Sequence, residues 1–280
     1  MARIASLHFY PVKSCRGIAV DAFRLTDTGP EWDRRWMIVT EGERRFISQR
    51  THPAMATISV AIDGRVLRLS APGRAPLEVA VDHGGPSGPV TVWSSECLGV
   101  DAGDAAAAWL SGVLGESLRL VRQDPARQRL ANRQYAGPDP HPVSFADAYP
   151  ILMISRESLV ELNRRLPAPI PMARFRPNVV IEGVAAHAED AMTRFVAGPV
   201  VLRGIKRCDR CPITTTDQES GVRDARQEPL RTLATYRHDY VLKGVVFGQN
   251  CVVEAGVGER LAVGTPLTIE EWTLSSGYQV

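Results

Sequence analysis

Two thiols lie three residues apart among cations in Lys206-Arg207-Cys208-Asp209-Arg210-Cys211-Pro212, just before the β-branched run Ile213 to Thr216. Positive neighbours favour the thiolate, the form of cysteine that attacks electrophiles and binds metals. Several chemistries fit this pair. A structural zinc site needs two further ligands, yet there is no second C-x-x-C, and His8, His52, His83, His141, His187 and His238 are all isolated. A thioredoxin-like dithiol opens a helix after a strand, whereas Ile213-Thr214-Thr215-Thr216 favours a strand. Two buried structural cysteines are the plain alternative. Spacing alone leaves all three open.

Three more basic clusters accompany it: Tyr10-Pro11-Val12-Lys13-Ser14-Cys15-Arg16-Gly17, Asp33-Arg34-Arg35-Trp36 and Arg174-Phe175-Arg176-Pro177-Asn178. Solvated or salt-bridged surface arginines would explain each one alone. All four adjoin expected strand ends, so a suitable fold could gather them on one anion. Of the 33 basic residues only Lys13, Lys206 and Lys243 are lysines, and the planar fork of arginine suits phosphate and carboxylate. No GxGxxG follows a strand, and GxxxxGK[ST], HExxH and GxSxG are missing, which leaves the common nucleotide, zincin and hydrolase readings without support.

The elements that must position these residues are mostly strands. Ile4, Leu7 and Phe9 suit a strand that stops at Pro11, and Arg35 to Val39 reads as another. Ile58, Val60 and Ile62 alternate up to Asp63-Gly64, after which Val66 to Leu69 returns as a hairpin. Asp104 to Leu114 predicts a helix with Asp104 as its acidic cap and Gly115 as its end. Arg122 to Pro142 is polar and rich in breakers, which predicts a long loop. Ser155 caps a second predicted helix, running through Leu166. Beyond 175, short β-branched runs at Val179–Glu182, Val200–Leu202, Ile213–Thr216, Val245–Phe247, Cys251–Glu254 and Leu267–Ile269 suggest a barrel or sandwich. The fold class is mainly β with a few helices, divided into a β-rich domain over 1–120 and a second domain over 121–280.

The 280 residues are 44% hydrophobic and 23% charged, with a net charge of +2. That balance argues against a general nucleic-acid binder, and 23 Gly with 20 Pro fall short of a low-complexity composition. The N-terminus lacks a signal-like apolar run and nothing approaches about 18 uninterrupted apolar residues. The expectation is a reducing cytoplasm without membrane attachment. Five cysteines are too few and too scattered for a disulfide scaffold.

Taken together, YPVKSCRG, DRRWMIV, FRPNVVI, CDRCPITTTD-x4-VRDARQEPLRTL and FGQNCVVE resemble the family of proteins with an N-terminal MOSC β-barrel domain followed by a MOSC domain, which includes the mitochondrial amidoxime-reducing component. The resemblance runs from about residue 3 to 270 with the motifs in the same order. It implies a β-rich first domain and a MOSC β-barrel with a molybdenum-bearing pterin between them. The activity it implies is reduction of N-hydroxylated compounds, in which oxygen is removed from an N–OH group at molybdenum.

By that resemblance Cys211 ligates molybdenum, and a soft thiolate suits a metal already held by dithiolene sulfurs. Lys13, Ser14, Arg34, Arg176, Asn178 and Arg210 match further contacts to the molybdenum cofactor. Asp147-Ala148-Tyr149-Pro150 stands where mitochondrial relatives have D-T-S-P, which leaves backbone amides to bind there. Asn250 stands where relatives often have tyrosine, changing the polarity expected near the cofactor. Cys208 matches no ligand. Cys15, Cys97 and Cys251 are too dispersed to hold an iron–sulfur cluster, so electrons are expected from a separate flavin or iron–sulfur protein. Two other functions share the same thiol: sulfur transfer through a Cys211 persulfide, and a non-enzymatic carrier of the cofactor.

Overall fold

The structure, a computed structural model, describes residues 1–273; positions 274–280, the end of the expected second domain, lie outside the described residues. The chain is mainly β, as its patterning predicts. Among the described residues the largest sheet has nine strands. Eight of them follow in the order Ile18–Val20, Arg3–Phe9, Val179–Glu182, Ile151–Ser155, Gly244–Ala255, Val200–Asp209, Met192–Ala197 and Thr268–Trp272, and His238–Asp239 pairs with Gly244–Ala255. The first strand thus lies inside a sheet built mostly from the second half of the chain. Ile4 and Leu7 are both buried although three residues apart, because the pairing with Val179–Glu182 shifts register between Ile4 and Ser6.

The sheet curls back on itself. Ile4 N–H donates to Thr265 O at 3.0 Å and Leu267 N–H to Ala2 O at 2.9 Å, so the approach to the last strand is tied to the first. Ile4, Leu7, Met153, Val179, Phe195, Leu202 and Leu267 meet in one core. Val179–Glu182 runs parallel to Ile151–Ser155, and a helix at Arg156–Arg165 makes the crossover that a parallel pair requires. Ser155 caps that helix through a 3.0 Å bond from Ser158 N–H to its Oγ, and Leu162 is buried beneath it.

In the first half, Trp36–Thr40, Leu118–Gln123, Ser95–Asp101 and Ser87–Val92 form an antiparallel sheet, and Ser59–Asp63 with Val66–Ser70 form the predicted hairpin. The helix at Asp104–Leu114 buries Ala106 and Leu110 against Trp36, Ile38 and Leu120, then ends at left-handed Gly115. Its cap position is Gly103 rather than Asp104, because the carboxylate of Asp101 accepts the Gly103 N–H at 2.9 Å. Residue 120 lies inside the Leu118–Gln123 strand, and a division into 1–120 and 121–280 is kept as a proposal for two units.

Two further local expectations fail. Arg122 to Pro142 is not one loop: Arg129–Leu130 pairs with Pro142–Val143, and Arg133–Ala136 forms a helical turn capped by the Asn132 side chain. That cap, together with a 2.8 Å bond from Ala131 N–H to His141 O, organises a stretch whose prolines and glycines suggested none. Ile213 to Thr216 is not a strand either, since Pro212–Thr215 is a 3-10 turn. Pro212 presets its first φ. Thr214 donates through both N–H and Oγ1 to Cys211 O, at 3.1 and 3.0 Å, and these local bonds override β-branched propensity. In contrast, the runs at Val245–Phe247 and Cys251–Glu254 merge into one strand, Gly244–Ala255.

Backbone hydrogen bonds lay three of the four basic segments, and the segment at Phe145, side by side. Arg34 N–H donates to Tyr10 O, Lys13 N–H to Trp36 O, Phe145 N–H to Arg34 O and His8 N–H to Asn178 O, all between 2.8 and 3.0 Å. Gly29 packs against the segment at 147–150: its φ is +96°, and a Cβ there would sit 2.5 Å from Pro150 O. Replacing Gly29 by Ala should therefore strain the backbone by roughly 1–3 kcal/mol. At roughly 2–4 °C per kcal/mol for chains of about this size, calorimetry should show the melting midpoint several degrees lower. An unchanged midpoint would mean that the 147–150 segment yields freely.

Candidate active site

A cleft of about 440 Å³ opens where the segments meet. Lys13, Ser14 and Arg34 reach it from the first half of the chain, and Asp147, Ala148 and Tyr149 from the segment before the Ile151–Ser155 strand. Arg176 and Asn178 line it from FRPN, Arg210 and Cys211 from the end of the Val200–Asp209 strand, and Asn250 from its neighbour. All eleven residues singled out in the sequence share this one wall.

The floor is organised by Tyr10 and Asp33. The Arg34 and Arg176 guanidinium carbons lie 4.2 and 4.3 Å from the Tyr10 ring centroid, close enough for its π face to attract both. Tyr10 is buried and its hydroxyl donates to Pro177 O at 3.0 Å. Burial pushes that hydroxyl up to about 12, which keeps it a neutral donor. The buried Asp33 carboxylate accepts from Tyr10 N–H at 2.8 Å, from Asn178 Nδ2 at 3.0 Å and, through both oxygens, from Arg34 Nη1 at 2.7 Å. Gly17 must lack a side chain here, because a Cβ would fall 2.3 Å from Tyr10 Cε1.

Three cleft residues hold left-handed backbone without being glycine: Ser14 at φ +66°, Arg34 at +48° and Arg176 at +56°. Such geometry persists where surroundings over-determine it, and it gathers at functional sites. Lys13 is buried and donates Nζ to Phe145 O at 2.8 Å and to the Asp147 carboxylate. Burial lowers the Lys13 ammonium's proton affinity, against the pull of Asp147. Burial would raise Asp147 in turn, but the Lys13 charge and hydrogen bond hold it well below the usual carboxylate range.

Six basic side chains line the cleft against two acidic ones, Asp147 and Asp209. Lys13 and Lys206 are paired with those two carboxylates, and Arg34 with Asp33. Among the described residues neither Arg176 nor Arg210 makes an ion pair. Burial, aided less strongly by the Arg34 charge, brings Arg176 down to about 10, so it remains a cation at neutral pH. Its Nη2 is buried without a hydrogen-bond partner. An unneutralised guanidinium in such a place is complementary to an anion.

Cys211 lies at the entrance to the 3-10 turn, partly exposed, its carbonyl clamped by Thr214. Arg174 steadies the far side of the turn with a 2.7 Å bond from Nη1 to Thr215 O. Cys208 also lines the cleft, 3.0 Å from Arg210 Nη1. The expected thiolate is not favoured at Cys208, because burial raises its thiol by more than Arg210 lowers it. No three His, Cys, Asp or Glu side chains among the described residues are grouped to hold a metal, so a metal at Cys211 would depend on donor atoms brought with it.

The sequence reading missed several residues. Arg50 and Trp93 line the wall as a stack, with the guanidinium 4.2 Å from the indole centroid, and Trp93 Nε1 donates to Asp147 at 3.2 Å. Tyr10 and Asp33 open two of the basic motifs, whose sequence alone gives them no role. Gln49 and Gln218, buried beneath Ser14 and Arg176, carry no motif signal.

Residues 1–117 match the MOSC N-terminal beta barrel domain, and residues 140–268 match the MOSC domain. The chain is 35% identical over 243 residues to mitochondrial amidoxime-reducing component 1 of Mus musculus, covering 84% of this chain and 71% of that protein. It is 33% identical over 272 residues to component 1 of Homo sapiens, covering 90% and 78%. Both domain matches contribute residues to the cleft, and with similarity sustained across most of its length the chain belongs to the MOSC-domain family of the mitochondrial amidoxime-reducing components.

Proposed function

We propose that this protein is a molybdenum-cofactor-dependent reductase that removes oxygen from N-hydroxylated compounds, with Cys211 as the metal ligand. The observation that carries this reading is the partly exposed Cys211 thiol sharing a cleft with buried cations, of which Arg176 has neither an acidic partner nor a mate for its Nη2. Relatives named for amidoxime reduction support it. The donor set fits a phosphorylated, metal-bearing pterin, since fixed donors suit a phosphate and a single thiolate leaves metal positions open.

In this reading Lys13, Ser14, Arg34, Arg176, Asn178 and Arg210 hold the anionic end, and Cys211 Sγ gives up its proton to bind the metal. Asp147, Ala148, Tyr149 and Asn250 complete the wall. When bound, the cofactor supplies a two-electron redox centre able to accept oxygen. The net reaction consumes two electrons and two protons for each N–OH and releases water with the reduced nitrogen compound. A separate flavin or iron–sulfur protein supplies the electrons, and we place the protein in the cytoplasm. No helix among the described residues is long and apolar enough to cross a membrane.

Metal analysis combined with benzamidoxime turnover under an artificial reductant tests the reading. Bound molybdenum with turnover supports it, a Cys211 persulfide without metal points to sulfur transfer, and metal without turnover points to a carrier. Cys211→Ser should fold, lose reductase activity and retain molybdenum poorly, because a hydroxyl is a harder donor than a thiolate. Full activity in a folded, metal-loaded Cys211→Ser protein would remove the assignment. Arg176→Ala should lower pterin occupancy about tenfold or more, given roughly 1.5–3 kcal/mol for a charge-assisted contact. The melting midpoint of the cofactor-free protein should hardly move, because the variant removes a buried charge that has no acidic partner there. Unchanged pterin affinity would leave Arg176 outside the site.

A further inference from the structure

Beneath Ser14 and Arg176 two glutamine side chains, from distant parts of the chain, face each other. Gln49 is fully buried and Gln218 is 7% exposed. Gln49 Nε2 donates to Gln218 Oε1 at 3.0 Å, and Gln218 Nε2 donates back to Gln49 Oε1 at 2.9 Å. The remaining amide hydrogens also have acceptors: Gln49 Nε2 reaches Ser14 O at 2.7 Å, and Gln218 Nε2 reaches Thr216 O at 3.0 Å. Gln218 Oε1 then accepts a second bond, from Arg176 Nη1 at 3.2 Å. The network fixes both amide orientations, since turning Gln218 over would set donor against donor at Arg176 and at Gln49.

We propose that the Gln49–Gln218 amide pair is the positioning device of the anion site: Gln49 Nε2 fixes the Ser14 carbonyl as a neutral donor and Gln218 Oε1 fixes the Arg176 guanidinium as a neutral acceptor, so that Arg176 is oriented without being neutralised. The inference rests on the cofactor-binding reading above and adds two positioning residues to it. The contrast with Arg34 supports it. Arg34 is held by a carboxylate, Asp33, which cancels its charge locally, whereas Arg176 is held by a carboxamide that leaves its charge for a ligand. Both residues served by the pair carry left-handed φ angles, at +66° and +56°, and the pair bonds directly to the backbone of the first and the side chain of the second. Gln218 lies seven residues after Cys211, in the segment that leaves the 3-10 turn, and its amide donates to the carbonyl of Thr216 at the end of that turn. One buried dipole pair therefore ties the thiol turn, the arginine and the Lys13-Ser14 turn to a common register.

The test compares Gln218→Glu, Gln218→Met and Arg176→Ala. Pterin and molybdenum content are measured in protein purified from a cofactor-producing host, and inorganic phosphate affinity and melting midpoint in cofactor-free protein. Gln218→Glu keeps an acceptor for Arg176 but adds a negative charge, and both occupancy and phosphate affinity should fall about tenfold or more. Gln218→Met keeps the volume without acceptor or charge, and should lose only about threefold. A merely structural role predicts the opposite order, with Glu, which retains the hydrogen bond, the better tolerated. Glu equal to or better than Met in phosphate affinity would overturn the proposal. If Gln218→Glu does not fold, Gln218→Met decides: a threefold loss with the midpoint within a few degrees supports the proposal, and wild-type occupancy overturns it. Arg176→Ala separates this proposal from the functional reading. Unchanged occupancy there removes the anion site itself, whereas a loss there with neither Gln218 variant affected removes only the role of the amide pair.

Discussion

Holding two guanidiniums against one buried ring is the constraint around which this protein is arranged. Arg34 and Arg176 both lie within 4.3 Å of the Tyr10 centroid, and like charges so close in a desolvated place repel. Three features offset that repulsion. The Tyr10 ring attracts both cations, the Asp33 carboxylate neutralises one, and neutral Gln218 orients the other. Each feature makes its own demand on the chain: Gly17 must leave room for the ring, Arg34 and Arg176 must accept left-handed backbone, and Asp33 must be buried with its oxygens shared among several donors.

Those demands explain the topology. Tyr10 follows the first strand, Arg34 precedes the strand at Trp36, and Arg176 precedes the strand at Val179, so each cation is fixed beside a strand end. Placing the first strand inside the large sheet beside Val179–Glu182 carries the Lys13-Ser14 turn to the arginine of FRPN, more than 160 residues away in sequence. Cys211 arrives by the same logic, on a turn at the end of the Val200–Asp209 strand. A thiol and a group of cations thus meet in one cleft from clusters that begin at residues 10, 33, 174 and 206.

Much of this was legible in the residues. Alternation and turn chemistry located the hairpin at Asp63-Gly64 and the helix at Asp104–Leu114, because those elements are decided by local preference and one-sided burial. Motif order pointed to the residues that line the cleft. The 3-10 turn after Cys211 was hidden because hydroxyl-to-carbonyl bonds overrode the β preference of Ile213 and the threonines. Gln49, Gln218, Arg50 and Trp93 were hidden for another reason: a glutamine or an arginine has the same appearance on a surface as in a buried network, and only long-range contacts give these four their roles.

X-ray absorption at the molybdenum edge of protein purified from a cofactor-producing host addresses the central assignment most directly. With Cys211 as the one protein ligand beside a dithiolene, the spectrum should show about three sulfur neighbours, falling to about two in Cys211→Ser. A sulfur shell that does not change in the variant, or protein that carries a Cys211 persulfide and no molybdenum, would contradict it.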